Sequence, residues 1–163
     1  MKQVIYILLI ATTMSCHARW QQSATKGFEQ PPNLHLLLLD SSTIMNINTL
    51  RCDSGLILFY FSPDCEYCQA ETAYLLSNMR YIRGSRLLLV SNAPIRDIRS
   101  FVNAYHLEDY HNVTIANDFR YEFFNLYKVQ SYPTIVIYNK ARELAKLYIG
   151  EIEIDRITKA IQS

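Results

Sequence analysis

The sequence has no block of lysines and arginines and no excess of charge of either sign: 16 Lys and Arg stand against 15 Asp and Glu, a formal net charge of +1. It also lacks the stripe of basic residues interleaved with aromatics that tracks a phosphate backbone, so nucleic acid is not expected as a partner. No apolar run reaches the about 20 residues that a membrane-spanning helix needs. No internal repeat or low-complexity block is present. Cysteine is sparse, at 4 residues, while half of the chain is hydrophobic and 12 residues are Tyr. A chain so composed buries a core without disulfide staples, and stability is not what the cysteines are for. The 163 residues suit one domain of roughly 100–150 residues with an N-terminal appendage.

The appendage reads as an export signal. Lys2 gives a short positive start, Val4 to Met14 is uncharged and mostly apolar, and the small Ser15 precedes Cys16. Thr13-Met14-Ser15-Cys16 resembles a relaxed lipobox, which implies a lipoprotein signal peptide over residues 1–15 and lipidation of Cys16 as the membrane anchor. Ordinary cleavage after Ala18 is the alternative, giving a soluble secreted or periplasmic protein. Both place the mature chain outside the cytosol. Residues 16–32 are polar, aperiodic and end in Pro31-Pro32, as a tether does, which leaves residues 33–163 as the domain.

Within the domain, Leu34 to Leu39 and Ile44 to Ile47 flank the turn signal Asp40-Ser41-Ser42 and predict a leading β-hairpin. Leu56 to Phe61 and Arg86 to Ser91 are unbroken apolar runs of the kind buried on both sheet faces. A helix is expected from about Cys65 to Arg80, with Thr72, Leu75, Leu76 and Met79 on one face. A second follows Pro94, with Ile98, Phe101, Val102 and Tyr105 inward. Val113 to Ala116 predicts a short strand, and Phe119, Phe123, Leu126 and Tyr127 a third helix. Thr134 to Tyr138 and Glu143 to Ile149 then pair across the polar turn at 139–142, before a closing helix over about Ile152 to Ile161. Strands alternating with helices and ending in a hairpin and a helix describe an α/β fold with a mixed central sheet flanked by helices.

Cys65-Glu66-Tyr67-Cys68 falls where a buried strand gives way to a helix. Three residues apart in a first helical turn, two sulfurs can reach each other while the first stays at the exposed helix start. Unpaired backbone N–H groups and the helix dipole favour a thiolate there, which makes Cys65 the nucleophile and Cys68 the thiol that resolves a mixed disulfide. A structural zinc would need two more ligands, and Cys52, His35, His106 and His111 show no second paired spacing, so no metal is expected. A purely structural staple would more usually bridge distant segments, since two intervening residues close almost no loop. Cys52 reads as a small filler or a loop thiol. Far along the chain, Tyr132-Pro133-Thr134 opens a buried strand, where proline is tolerated chiefly at the first position or a bulge.

Leu56 to Cys68, the stretch Val129-Gln130-Ser131-Tyr132-Pro133-Thr134, and Gly150 resemble thioredoxin-like proteins. Over about Asn33 to Ile161 the chain is most similar to the TlpA/ResA-like group of anchored extracytoplasmic thiol-disulfide oxidoreductases. The leading hairpin, the helical insert after Ser91 and a Cys-x-x-Cys-x-x-Glu pattern ending at Glu71 carry that similarity. The resemblance implies a thioredoxin-like fold and a cis bond before Pro133 facing the cysteines, against the alternative of a trans proline at a strand edge. It further implies strand-like pairing of Tyr132 with an extended substrate. By the same resemblance Glu71 moves the proton of Cys68; a solvated helix carboxylate is the other reading. No cofactor is implied beyond a redox-active Cys65–Cys68 disulfide. The implied partners are disulfide-bearing envelope proteins such as apocytochromes c, a membrane thiol-disulfide electron donor and the membrane itself, with the protein facing the periplasm. Tyr67 and Tyr132 are expected to form an apolar docking rim.

The chain departs from the family at Phe59, where thioredoxins keep a buried Asp, at Asp64, where they place Trp, and at Ala73, where a proline kinks the helix. Asp64 and Glu66 flank the nucleophile with negative charge. With no His between the cysteines, the expectation is a modestly lowered Cys65 pKa and a reducing couple, nearer thioredoxin at about −270 mV than DsbA at about −120 mV. Three rivals remain: an oxidase or isomerase using the same residues, a peroxiredoxin-like peroxidase, and a non-catalytic binding lipoprotein of the same fold. Leu58 and Ser62 stand where the peroxidase motif wants Pro and Thr.

Overall fold

The computed structural model describes residues 29–163, so the expected signal peptide, the lipidated Cys16 and most of the tether lie outside the described residues. Strands β1 (His35–Leu38) and β2 (Ile44–Asn46) pair antiparallel as the leading hairpin. Its turn closes because Asp40 Oδ1 accepts the N–H groups of Ser42 and Thr43 at 2.9 and 2.8 Å, the side-chain turn that Asp offers the backbone.

Seven strands form one sheet in the order β2-β1-β5-β4-β3-β6-β7, with β3 (Leu56–Tyr60), β4 (Arg86–Ser91), β5 (Val113–Asn117), β6 (Thr134–Tyr138) and β7 (Leu144–Ile149). The β3–β4 and β4–β5 pairings are parallel and the others antiparallel, so the sheet is mixed. Strands β3 and β6 are buried at every position, which explains their unbroken apolar runs: each has a neighbour on both edges and packing on both faces. The period-2 alternation divides β3 between two cores. Ile57 and Phe59 face α1 (Glu66–Ser77), α3 (Ile95–Ala104) and α5 (Ile154–Gln162), meeting Leu75, Phe101 and Ile157. Leu56, Leu58 and Tyr60 face the other way, toward Leu36, Phe123 and Tyr127 beside α4 (Glu122–Leu126).

Two helices differ from their sequence expectation. The helix after Cys65 breaks at Asn78, where the side-chain amide donates to the Tyr74 carbonyl at 2.9 Å, and a separate turn, α2 (Met79–Ile82), follows. An asparagine that bonds the preceding turn in this way competes with the helical ladder. The third helix starts at Glu122 rather than at Phe119, which is exposed. Asp118 Oδ1 and Oδ2 accept the N–H groups of Phe123 and Phe124 at 3.2 and 3.0 Å, and Tyr121 takes a left-handed φ of 58° just ahead of the helix. Upstream of β1, Pro31 is buried and the Glu29 carbonyl accepts the Leu144 N–H at 2.7 Å. Among the described residues no helix is long and apolar enough to cross a membrane.

Candidate active site

Strand β3 ends at Tyr60, and the chain turns through Ser62 to Cys65, whose N–H donates to the Ser62 carbonyl at 3.1 Å. The Gln69 amide pins this turn to α1 by donating to the Pro63 carbonyl at 2.9 Å. Cys65 is the residue that caps α1: its sulfur accepts the Cys68 N–H at 3.3 Å. A sulfur in that place receives a backbone donor at the N-terminus of the helix. The Cys65 thiol also lies 3.8 Å from the Tyr132 carbonyl oxygen, to which it can donate. Cys65 is half-buried, Cys68 is buried one turn on, and both are free thiols. Burial pushes the Cys68 thiol well above its ordinary value, and a hydrogen bond with the Cys65 side chain pushes the same way. The two sulfurs are thus neighbours with unequal access to water.

The Tyr132–Pro133 peptide bond is cis. It sits across from Cys65, and the Pro133 carbonyl accepts the Gly150 N–H at 2.8 Å. Tyr132 is held from two sides: its ring stacks on Tyr60 at 5.8 Å with a 12° interplanar angle, and its hydroxyl donates to Asn92 Oδ1 at 3.3 Å. Tyr60 is itself fixed, donating to Asp118 Oδ2 at 3.0 Å and stacking on Phe123 at 4.6 Å. Tyr132 therefore turns its ring inward and its carbonyl toward Cys65, whereas Tyr67 is 65% exposed between the cysteines.

Glu71 lies one turn beyond Cys68 on α1 and is only 2% exposed. Its Oε2 accepts the Ile152 N–H at 3.3 Å, while Oε1 has no hydrogen-bond partner among the described residues. Burial raises its pKa to about 7; the Ile152 N–H works against that and the nearby Glu151 carboxylate adds to it. A group so placed can hold or release a proton near neutral pH.

Every sequence-predicted site residue of the domain, Cys65, Cys68, Glu71, Tyr67, Tyr132 and Pro133, falls at this end of the sheet. Cys52 does not: it precedes β3 at the opposite end, half-buried, with Arg142 Nη1 3.8 Å from its sulfur. Tyr60, Asn92 and Asp118 were not expected at the site. They come from three different strand ends, and no local spacing in the sequence couples them. Among the described residues no group of three or more His, Cys, Asp or Glu side chains is placed to hold a metal ion.

No protein-family model matches the chain, and no curated protein matches it by sequence. Solved structures do match. One is a secreted Mycobacterium tuberculosis disulfide oxidoreductase homologous to E. coli DsbE, at 19% identity and a TM-score of 0.65, covering 80% of this chain and 95% of that one. StoA from Bacillus subtilis matches at 17% identity and a TM-score of 0.60, covering 81% and 98%. The exposed lipoprotein thioredoxin Etrx1 from Streptococcus pneumoniae matches at 21% identity and a TM-score of 0.60, covering 79% and 97%. At these identities the likeness speaks for the backbone and not for the substrate. The mixed sheet with its leading hairpin and flanking helices, superposable on these structures, gives the chain a thioredoxin-like fold, with a secreted disulfide oxidoreductase and an exposed lipoprotein thioredoxin among its structural neighbours.

Proposed function

We propose that this protein reduces disulfides of cell-envelope polypeptides by a Cys65/Cys68 dithiol–disulfide cycle. The observation that carries the reading is the Cys65 sulfur at the start of α1, bonded by the Cys68 N–H and facing the Tyr132 carbonyl beside the cis Pro133. An extended substrate segment lies along the Tyr132 backbone in strand fashion, bringing its disulfide to Cys65. The Cys65 thiolate attacks one substrate sulfur; a Cys65–substrate disulfide forms and one substrate thiolate leaves. Cys68 then loses its proton to Glu71 and attacks the Cys65 sulfur, so that the Cys65–Cys68 disulfide forms and the second substrate thiolate departs. Two electrons have passed to the substrate, and a membrane dithiol carrier supplies two more to the pair, reducing the Cys65–Cys68 disulfide while its own thiols form a disulfide.

The burial of Cys68 supports this order of events, because a protonated, inaccessible thiol does not compete for substrate. Export, with Cys16 as a lipid anchor and 16–32 as the tether, sets the site in the envelope on the periplasmic side of the membrane, where apocytochromes c are fitting substrates. No cofactor beyond the cysteine pair is required.

Reduction of insulin by the full chain tests the reading. Cys65→Ser is expected to abolish turnover, and Cys68→Ala to accumulate a mixed disulfide that mass spectrometry assigns to Cys65. Turnover that survives Cys65→Ser would refute the proposal.

A further inference from the structure

The last strand and the last helix carry a group of positive charges without partners. Lys146 and Tyr148 lie opposite Ile137 and Ile135 in the β6–β7 register, so both project from the sheet face that α5 covers. On α5, Ile154, Ile157, Ala160 and Ile161 are buried, which leaves Arg156 and Lys159, one turn apart, on the outward side. Lys146, Tyr148, Arg156 and Lys159 ring a hollow of about 440 Å³ over the small side chains Ala145 and Ala160. The three cations are exposed, and among the described residues none has a carboxylate within ion-pair distance; ion pairs lie instead at His35, Arg96 and Arg120. Lys140, exposed in the turn between β6 and β7, extends the surface: it lines the adjoining hollow, and Ser163 borders both.

The acids of residues 139–163 are divided. Glu151 and Glu153 line a separate hollow against α1, while Glu143 and Asp155 are exposed next to Leu144 and Arg156 in the chain. Arg142 is turned away, donating to the Asn48 and Leu50 carbonyls. Lys140, Lys146, Arg156 and Lys159 therefore outnumber the acids beside them by two. The position of this surface says what it meets. Among the described residues the proposed tether first meets the domain at Glu29, whose carbonyl accepts the N–H of Leu144, the first residue of β7, at 2.7 Å. Lys146 is two residues on, and β7 is the edge of the sheet. Residues 16–28 span at most about 45 Å, so a domain anchored through Cys16 stays within that distance of the bilayer, with this edge at its point of attachment. Lys and Arg are drawn to the anionic headgroups of a bilayer surface, and Tyr, an apolar ring with a polar tip, suits the interface.

We infer that Lys146, Arg156 and Lys159, with Tyr148 and Lys140, form a lipid-contact surface that seats the domain on anionic phospholipid headgroups beside its tether. The inference rests on the envelope location proposed above and adds an orientation to it. From Leu144 to Gly150 the chain runs about 20 Å along the strand, and the Gly150 N–H meets the Pro133 carbonyl of the cysteine site at 2.8 Å. A domain seated in this way presents Cys65 at the end of β7 remote from the tether, open to polypeptides in the aqueous phase.

The test uses the full chain with Cys16→Ser, which blocks lipidation and removes no basic residue. Its flotation is compared with vesicles of phosphatidylcholine alone and of equal parts phosphatidylcholine and phosphatidylglycerol. A Lys or Arg near an anionic surface tightens binding about fivefold, so the two cations in excess are expected to give roughly a 25-fold preference for the mixed vesicles. The preference should collapse in about 1 M salt, where charges are screened beyond ~3 Å. The Lys146→Gln, Arg156→Gln, Lys159→Gln triple variant is expected to lose it with an unchanged urea midpoint, whereas Arg19→Gln, Lys26→Gln in the tether keeps it. Equal binding to the two kinds of vesicle, or a preference that survives in the triple variant, would overturn the inference. Insulin turnover by the same proteins reads the redox role by itself. A lipid preference without turnover removes the reductase and keeps the surface; turnover without a lipid preference does the reverse.

Discussion

Glu71 shows how far a single residue is legible. Its place three positions after Cys68 puts it on the same helix side, but the helix pattern alone reads equally well as a solvated carboxylate. What buries it is the Ile152 backbone, 81 positions away, and no local pattern announces that contact. The pKa that results has a consequence for stability. A carboxyl whose value rises from 4.5 unfolded to about 7 folded binds more protons in the folded state between those values. Its favourable contribution is complete below pH 4.5 and is lost as pH climbs through 7. Unfolding free energy is therefore expected to fall by about 2 kcal/mol from pH 5 to pH 8. In Glu71→Gln, which cannot ionise, that part of the slope should disappear; denaturant titrations across this range that give parallel curves for both proteins would contradict the assignment. The cysteines were readable for the opposite reason. Their chemistry depends on a spacing and a helix start, both of which are local.

At the scale of elements, the strand runs and helix faces were visible because burial on one or two faces imposes a period on the sequence. The ends of helices were less visible. Asn78 and Asp118 each redirect backbone hydrogen bonds with a side chain, an effect that apolar periodicity does not record. Asp118 is fully buried and accepts three hydrogen bonds, two from the first turn of α4 and one from the Tyr60 hydroxyl. Asp118→Ala would leave three buried donors without an acceptor and is expected to cost about 3 kcal/mol or more; Tyr60→Phe removes one donor, keeps both ring stacks, and should cost about 1 kcal/mol. Urea midpoints at constant m measure both. Equal losses would show that the hydroxyl, and not the helix start, is the important partner. Because Tyr60 also backs the ring of Tyr132, Tyr60→Ala should raise KM for a peptide disulfide more than it lowers kcat, and an unchanged KM would separate that stack from substrate placement.

For the molecule as a whole, the two-core architecture places the chemistry at one end of the sheet. There β3 delivers Cys65, β6 begins after Pro133, and β7 leads into the wall behind Glu71. The α/β class and the leading hairpin follow from the succession of patterns along the chain. The strand order does not, because neighbours such as β1 and β5 join segments far apart in sequence. Nor does the convergence of Asn92, Asp118 and Tyr60 behind Tyr132, which exists only once that order is set. The most direct measurement is redox equilibration of the full chain in glutathione buffers, followed by trapping of the free thiols. A single two-electron transition confined to Cys65 and Cys68, with a potential near the thioredoxin value of about −270 mV, is the expected result. A potential near about −120 mV, or cysteines that never form a mutual disulfide, would contradict a reductase built on this pair.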